Sequence, residues 1–491
     1  MSRWLSNCIK HHELCTDRAS ALPTRVLHIG PKGSTADPRL LVADGRPGRW
    51  AALSHCWGSG VPFITTTSNL VQRQLGIPFA DFPPTFQDAI VICRHIGIEN
   101  LWIDSICILQ DSPSDWLSES AQMGYVYNNA TITLVAEASP DCNSGIFTSA
   151  NVGRSPTIRV PCIDSKGAYR GTIYPQDFLD GIGVSGMFKP GPLSSRAWGL
   201  QEDVLSQRVL RYAEDQLFWA CHTSFHSESN PSVFGEFQRV YDSRIFRRPD
   251  ASRPVLAFWY DIMDSYGTRE LTFEKDKFPA ISAMAREIGA LTNLSYRAGI
   301  WQEDAHLGLL WSAHGTGERS SEYVAPSWSW ASLANQSGDL YGEVCGTEED
   351  IAEIVHIDVT NTADDAYGQV SSGSLQIHGP CRSIDPWDQD HSQLHWGNLI
   401  ISVLPQLSEK IHCQLDVRDD QPDQGIICLQ IARVTIFGDA RSAVSTLAAI
   451  LLKRIDRADE KEEYRRVGRA VIRTSDKTVT EGWERRTFTI I

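Results

Sequence analysis

The stretch Ala51-Ala52-Leu53-Ser54-His55-Cys56-Trp57-Gly58 decides the fold prediction. Its first four residues form a short apolar run, and the polar, glycine-bounded stretch His55–Gly60 follows. An apolar run that ends in turn-forming residues is typical of a buried strand that leads into a loop. We therefore predict a strand over 51–54 whose carboxyl end carries a hydroxyl, an imidazole, a thiol and an indole.

The residues after this loop predict a crossover unit. Apolar side chains recur at helical spacing over 85–96, directly after Pro83-Pro84, and Gly97 ends the pattern. The run 101–103, Leu-Trp-Ile, predicts a second buried strand that Asp104 terminates. Strand, helix and strand in this order are typical of a βαβ unit with parallel strands.

A second helix is indicated by its N-terminal signals. Ser112 is a candidate N-cap, Pro113 suits the first helical turn, and Asp115 completes a pattern similar to a capping box. The helix is expected to run to about Tyr127. The β-branched stretch 131–136 then predicts a third strand.

The whole chain of 491 residues is long enough for two to three domains at about 150 residues each. We predict an N-terminal segment over 1–48 with a short helix, and an α/β domain over 49–222. A helical extension is expected over 223–334 and a β-rich region over 335–491.

Composition, charge and hydropathy disfavour several classes of protein. The formal net charge is -15, and no block of basic residues suggests a nucleic-acid interface, so nucleic acid is disfavoured as a partner. The N-terminus lacks the apolar core of a signal peptide, and no stretch approaches the ~20 apolar residues of a membrane span. The 12 cysteines have no framework spacing, which favours free thiols and a cytoplasmic location.

The first candidate site lies at the predicted strand ends, because ligands of open α/β sheets bind outside the carboxyl ends of the strands. Ser54, His55 and Trp57 follow the first strand and Asp104 follows the second. Trp57 could instead pack the top of the sheet, and Asp104 could be a structural residue that accepts backbone N–H bonds.

Glu119 is the candidate catalytic acid. On the second helix it lies within the apolar stripe, three residues after Trp116 and four before Met123. A carboxylate on an apolar face must be paired, raised in pKa or directed at a cavity. The alternative is a buried salt bridge to Arg94 or Arg196.

For two further groups of residues, a structural role is at least as well supported as a functional one. Trp198 and Glu202 lie one helical turn apart and could close the site, or could simply pack against the strands that follow. Cys8, His12 and Cys15 have helical spacings and ligand types suited to zinc, but a fourth ligand is not evident. We interpret these three as core packing and predict no metal site.

Together these stretches resemble the fungal heterokaryon-incompatibility (HET) family. The resemblance covers residues 1–335 strongly and the remainder weakly. Its motifs are LPTR at 22–25, ALSHCWG at 52–58, PPTFQDAI at 83–90, LWIDSICILQD at 101–111, DWLSESAQMGYVYNNATITLVA at 115–136 and SSRAWGLQEDVLSQRVLRY at 194–212. One departure is Leu109, where many family members carry Asn.

The resemblance implies a flavodoxin-like, TIR-like parallel sheet, because HET domains are thought to be distant relatives of Toll/interleukin-receptor-like (TIR) domains. Several TIR domains cleave NAD with a glutamate on a helix. That role falls here to Glu119, which would stabilise a ribosyl cation. The resemblance implies that Ser54, His55, Trp57 and Asp104 line the nucleotide pocket. We predict Gln110, Trp198 and Glu202 as further substrate-binding residues.

Three functional hypotheses follow. In the first, the protein acts in fungal nonself recognition and regulated cell death, with NAD as candidate substrate and no certain cofactor. In the second, the domain has no catalysis and signals by self-association or through a protein partner. In the third, it is an enzyme of secondary metabolism that uses His55 or Cys56 as base or nucleophile.

Overall fold

The computed structural model describes residues 1–15, 19–60, 63–147, 160–164, 167–173, 190–214, 216–228, 255–313, 317–334, 340–341, 344–384, 398–401, 411–417, 425–437, 443–455, 462–472 and 481–491. The chain forms two compact units, Met1–Arg248 and Pro249–Ile491. None of the helices in these ranges combines the length and the apolar character needed to cross a bilayer.

The first unit alternates strands and helices. Its strands are β1 Ser20–Ala21, β2 Arg25–His28, β3 Arg39–Val42, β4 Pro47–Gly48, β5 Ala51–Ser54, β6 Asn100–Trp102, β7 Ile132–Val135, β8 Val160–Ile163, β9 Tyr169–Ile173, β10 Arg208–Tyr212, β11 Leu217–Cys221 and β12 Phe225–Ser227. Its helices are α1 Ser2–His11, α2 Leu70–Leu75, α3 Pro84–Ile96, α4 Asp104–Cys107, α5 Pro113–Asn129 and α6 Ala197–Leu205.

The main sheet of this unit has eight strands in the order β12-β11-β10-β7-β5-β6-β2-β3. The four central strands are parallel: β5 pairs with β6 on one side and with β7 on the other, and β7 pairs with β10. The predicted parallel arrangement of the strands around Ala51–Ser54, Asn100–Trp102 and Ile132–Val135 is therefore confirmed.

The prediction of a parallel sheet is nevertheless wrong at both edges. β2 and β3 at one edge, and β11 and β12 at the other, pair antiparallel with their neighbours, so the sheet is mixed. The links from β2 to β3, from β10 to β11 and from β11 to β12 contain no helix, and antiparallel neighbours, unlike parallel ones, need no crossover. β2 and β3 belong to the predicted N-terminal segment, which thus supplies strands to the same sheet.

The helix signals of the sequence correspond to observed caps. Ser112 Oγ accepts a hydrogen bond from the backbone N–H of Asp115 at 3.3 Å and caps α5. Gly97 follows α3 with a φ of 81°, a left-handed conformation that glycine adopts without strain. α3 connects β5 to β6 and α5 connects β6 to β7. Because these strands are parallel, their carboxyl ends lie at the same end of the sheet.

The second unit contains helices followed by a large sheet. The helices are α7 Val255–Gly267, α8 Pro279–Thr292 and α9 Ala305–Gly308. The strands are β13 Tyr296–Arg297, β14 Ile300–Trp301, β15 Val344–Asp350, β16 Glu353–Asn361, β17 Val370–Ile384, β18 Asn398–Ile401, β19 Ile411–Leu415, β20 Ile426–Phe437, β21 Ala443–Ile455, β22 Glu463–Ile472 and β23 Glu484–Ile490.

Strands β17, β20, β21, β22 and β23 of this unit pair in a closed cycle. The predicted β-rich C-terminal part is thus present. Arg466 on β22 is fully buried, 3.2 Å from Asp416 and with its guanidinium 3.4 Å from the centre of the Trp311 ring.

Candidate functional site

The candidate site lies beside β5, because the parallel strands that follow β5 in the chain lie on opposite sides of it. The second parallel strand, β6, lies on one side of β5, and the third, β7, lies on the other. In open α/β sheets the crevice at such a switch point, outside the carboxyl ends, is where ligands bind. Ser54 is the last residue of β5, and Asp104 begins the short helix after β6.

Asp104 joins the loops that follow these two strands. Its Oδ2 accepts a hydrogen bond from Trp57 Nε1 at 2.8 Å, and its Oδ1 accepts one from the backbone N–H of Ser105 at 2.7 Å. His55 Nδ1 lies 3.9 Å from Asp104 Oδ1. The structure therefore brings together His55, Trp57 and Asp104, as the sequence predicted, with Trp57 and Asp104 partly exposed.

His55 is an uncharged imidazole at neutral pH. Burial lowers its pKa to about 4, although the charge of Asp104 acts in the opposite direction. The ring packs edge-on against Phe86 with ring centres 5.0 Å apart. Its Nε2 is buried without a hydrogen-bond partner among the described residues, so one hydrogen bond of the ring is unmade.

Glu202, on α6, is a further carboxylate at this end of the sheet. It is buried, and burial raises its pKa to about 7, while the charge of Arg196 and hydrogen bonds with Ser54 and Tyr127 act to lower it. Its Oε2 has no hydrogen-bond partner within the ranges that the structure describes. A buried carboxyl with a raised pKa and an unpaired oxygen is a candidate catalytic or ligand-binding acid.

The start of α6 is fixed by Glu137, which follows β7. Glu137 Oε1 accepts hydrogen bonds from the backbone N–H of Gly191 at 2.7 Å and from Ser194 Oγ at 2.7 Å. Its other oxygen accepts one from the guanidinium of Arg211. Arg196, directly after this segment, donates to the carbonyl of His55 and so ties α6 to the first loop.

Glu119 has different partners from those predicted. Its Oε1 lies 3.6 Å from Arg25 Nη2, and Arg25 also pairs with Asp115 at 2.5 Å. Burial raises the pKa of Glu119, and hydrogen bonding with Thr24 and the charge of Arg25 act against this. The salt-bridge alternative is thus present, but its cation is Arg25 rather than Arg94 or Arg196.

Gln110 and Trp198 are the remaining residues predicted to bind substrate. Gln110 Nε2 donates to the carbonyls of Asp104 and Ile108, at 3.2 Å each, and so braces α4. Trp198 is partly exposed on α6, one turn before Glu202. Their roles in binding stay predictions.

The two thiols near the site are protonated at neutral pH. Burial raises the pKa of Cys56 to about 11 and that of Cys107 to about 12. A thiol in this state is a poor nucleophile, which disfavours the use of Cys56 as one.

Tyr127 and Arg196 are not among the site residues predicted from the sequence. Tyr127 is buried on α5, and its hydroxyl donates to the carbonyl of Leu53 at 3.3 Å. Its position in the apolar stripe of α5 was the available signal, since a buried tyrosine needs a partner for its hydroxyl.

Comparison with known protein families gives one match. Residues 50–202 match the family model described as Heterokaryon incompatibility protein (HET), and the matched range ends at Glu202. Neither the curated proteins nor the solved structures provide a significant match. The chain therefore contains a heterokaryon incompatibility (HET) domain over residues 50–202, and the candidate site lies within this domain.

Proposed function

We propose that this protein acts in fungal nonself recognition and regulated cell death, and that its HET domain hydrolyses a nicotinamide nucleotide with Glu202 as the catalytic carboxylate. One observation carries the proposal. Glu202 is a buried carboxyl with a pKa of about 7 and an unpartnered oxygen, at the strand ends that also hold the unpartnered Nε2 of His55.

The proposed reaction breaks the bond between C1′ of the ribose and the nicotinamide nitrogen. The bonding electrons leave with nicotinamide, which becomes neutral, and C1′ becomes a ribosyl cation. Ionised Glu202 stabilises this cation, because opposite charges attract strongly in a site shielded from water. Water then adds to C1′ and releases a proton through Glu202, which gives ADP-ribose, nicotinamide and one proton from NAD and water.

The neighbouring residues supply the binding groups for such a substrate. Asp104 is partly exposed and retains acceptor capacity for a ribose hydroxyl beyond its bonds to Trp57 and Ser105. The uncharged imidazole of His55 offers one more hydrogen bond through Nε2. Trp57 and Trp198, both partly exposed, offer aromatic faces for the flat rings of the nucleotide.

The order of the parallel strands supports a nucleotide as the ligand. The four parallel strands lie side by side as β6, β5, β7 and β10. In terms of their sequence in the chain, this is the order second, first, third, fourth. This is the order of flavodoxin-like sheets, in which a nucleotide binds at the switch point beside the first strand. It agrees with the TIR-like architecture that the sequence resemblance implies.

The experiment compares two matched substitutions, Glu202→Gln and Glu119→Gln. Both replace a buried glutamate by its uncharged isostere. Purified full-length variants are incubated with NAD, and nicotinamide and ADP-ribose are measured by chromatography. We expect Glu202→Gln to lower turnover at least about 100-fold and Glu119→Gln to retain most of it.

The same variants expressed in a fungal host separate the proposal from a non-catalytic signalling module. Loss of cell death with Glu202→Gln, together with retention with Glu119→Gln, supports catalysis. Full cell death with Glu202→Gln, in the absence of NAD loss, would show that the domain signals by contact alone. Loss of turnover only with Glu119→Gln would return the catalytic role to the residue expected from the family resemblance.

A further inference from the structure

We propose that Cys8, His12, Cys15 and Cys221 form a structural zinc site that fastens the N-terminal helix to the β11–β12 hairpin. Each residue offers one donor atom, and the four donor atoms all lie within 4.8 Å of one another. The sequence interpretation of the first three as core packing lacked a fourth ligand. The fold supplies it in Cys221, at the end of β11.

The spacing of the donors suits a tetrahedral ion. With Zn–S bonds of about 2.3 Å, sulfur ligands lie about 3.8 Å apart across a tetrahedron. His12 Nδ1 already lies 3.3 Å from Cys221 Sγ. The remaining donor pairs lie within 4.8 Å of one another, close to the separation in such a site.

Two local structures present the donors. Cys8 lies on the buried face of α1, and His12 caps its C-terminus one turn later. The backbone then turns, with the N–H of Cys15 bonded to the carbonyl of His12 at 3.0 Å, and returns Cys15 to the same side. Cys221 lies opposite, at the turn between β11 and β12.

Hydrogen-bond donors surround the three sulfur atoms. Arg208 Nε donates to Cys8 Sγ at 3.2 Å, and the backbone N–H of Ser224 donates to Cys221 Sγ at 3.3 Å. Thr223 Oγ1 lies 3.8 Å from Cys15 Sγ. Donors of this kind orient the ligands of metal sites and stabilise thiolates.

The charge of the site also balances with a divalent ion. Three thiolates, one neutral imidazole and Zn²⁺ carry a single net negative charge. The buried guanidinium of Arg208 lies directly beside them and also donates to the carbonyls of Thr131 at 3.1 Å and of Cys15 at 3.2 Å. Arg208 therefore compensates the site and links it to the end of α5 and to β10.

The ligand set identifies the kind of site. Thiolate and imidazole donors select zinc among the common divalent ions, and four protein ligands leave no position for a substrate. The site is thus structural rather than catalytic. A disulfide would use two of the three thiols and would leave the third thiol and His12 without a function.

The consequence is a metal-dependent attachment of α1, which has 10 residues. An isolated helix of that length is marginal in water, so α1 depends on tertiary contacts. A bound ion would join it to the antiparallel edge of the sheet, and its binding free energy would contribute to folding of this unit.

The first test is the metal content of the full-length protein, purified without chelators and measured by inductively coupled plasma mass spectrometry. We expect about one zinc per chain. Replacement of zinc by Co²⁺ is expected to give the visible absorption of a tetrahedral site with thiolate charge-transfer bands. Wild-type protein without bound zinc and without these bands after Co²⁺ addition would overturn the proposal.

Variants locate the site. His12→Ala removes a partly exposed ligand and Cys221→Ala a buried one, and Cys93→Ala is the matched control at a buried thiol on α3. We expect loss of zinc and a lower melting temperature in the first two and full zinc content in the control. Should Cys221→Ala not fold, His12→Ala still decides the question. Zinc retained in His12→Ala, or a disulfide among the three thiols in the native protein, would refute the assignment.

Discussion

Arg25 lies 3.6 Å from Glu119 through its Nη2 and 2.5 Å from Asp115 through the same atom. A single buried guanidinium from the N-terminal segment thus holds two carboxylates of α5. Arg25 Nε also donates to the carbonyl of Cys107 at 2.6 Å, so the cation braces the turn between α4 and α5. This ion pair supports a structural role for Glu119. Glu202, by contrast, is the carboxylate that lies next to Ser54.

Arg25→Met is expected to destabilise the first unit by about 3–5 kcal/mol, because it leaves two buried or half-buried carboxylates without their cation. Glu119→Gln should cost less, since Arg25 keeps its closer partner Asp115. Urea unfolding followed by fluorescence measures both. Equal stability of Arg25→Met and wild type would contradict a structural role for this cluster.

The turnover of NAD should depend on the ionisation of Glu202. Because its pKa is raised to about 7, the active ionised form is fully present only above that pH. We expect kcat/KM to fall about tenfold for each step of one pH unit below pH 7 and to level off above it. Glu119→Gln is the control and should keep this profile; a profile that levels off already near pH 5 would exclude Glu202 as the titrating group.

Glu202 should lower the free energy of unfolding at high pH. Its pKa in the folded protein is raised above the ordinary value of 4.5, so between pH 4.5 and about 7 the folded state holds a proton that the unfolded state releases. The stability that this proton provides is present at low pH and is lost as the pH rises to about 7.

Glu202→Gln should therefore be more stable than wild type at pH 8, by up to roughly 3 kcal/mol, because a tenfold change in proton affinity corresponds to about 1.4 kcal/mol. The difference should shrink towards pH 4.5. Denaturant unfolding of both proteins at pH 5 and pH 8 measures it, and an equal difference at the two pH values would argue against the raised pKa.

Glu137→Ala is expected to impair turnover from outside the site. Glu137 anchors Gly191 and Ser194 before α6 and also binds Arg211, so its removal frees the segment that carries Arg196. We expect kcat to fall more than about tenfold, since small displacements at a site have large kinetic effects. Asp203→Asn removes the more exposed partner of Arg211, 2.8 Å away, and should have little effect.

Arg466→Met should destabilise the second unit by about 3–5 kcal/mol, because it leaves Asp416 buried without this cation. Hydrogen exchange measured by mass spectrometry should show faster exchange in β22 and its paired strands. NAD turnover should be unchanged in protein that remains folded, and a loss of turnover there would link the second unit to the reaction.

Several elements could be predicted because their signals are local. The apolar runs at 51–54 and 101–103 and the cap at Ser112 each depend on residues close in sequence, and each was confirmed. The order strand, helix, strand also fixed the parallel pairing of β5 with β6. Because β5 and β6 are parallel, Ser54 and Asp104 lie at the same carboxyl end of the sheet.

The sequence by itself determined the HET domain, the parallel centre of the sheet and the set of residues at its strand ends. Only the tertiary structure decided that Arg25 pairs with Glu119 and that Glu202 lies buried beside Ser54 and Tyr127. It also decided that Cys221 lies next to Cys8, His12 and Cys15. The physical reason is distance along the chain. Backbone propensity and apolar periodicity act over a few residues, whereas the partner and the burial of a charged group or thiol depend on elements that meet only in the folded protein.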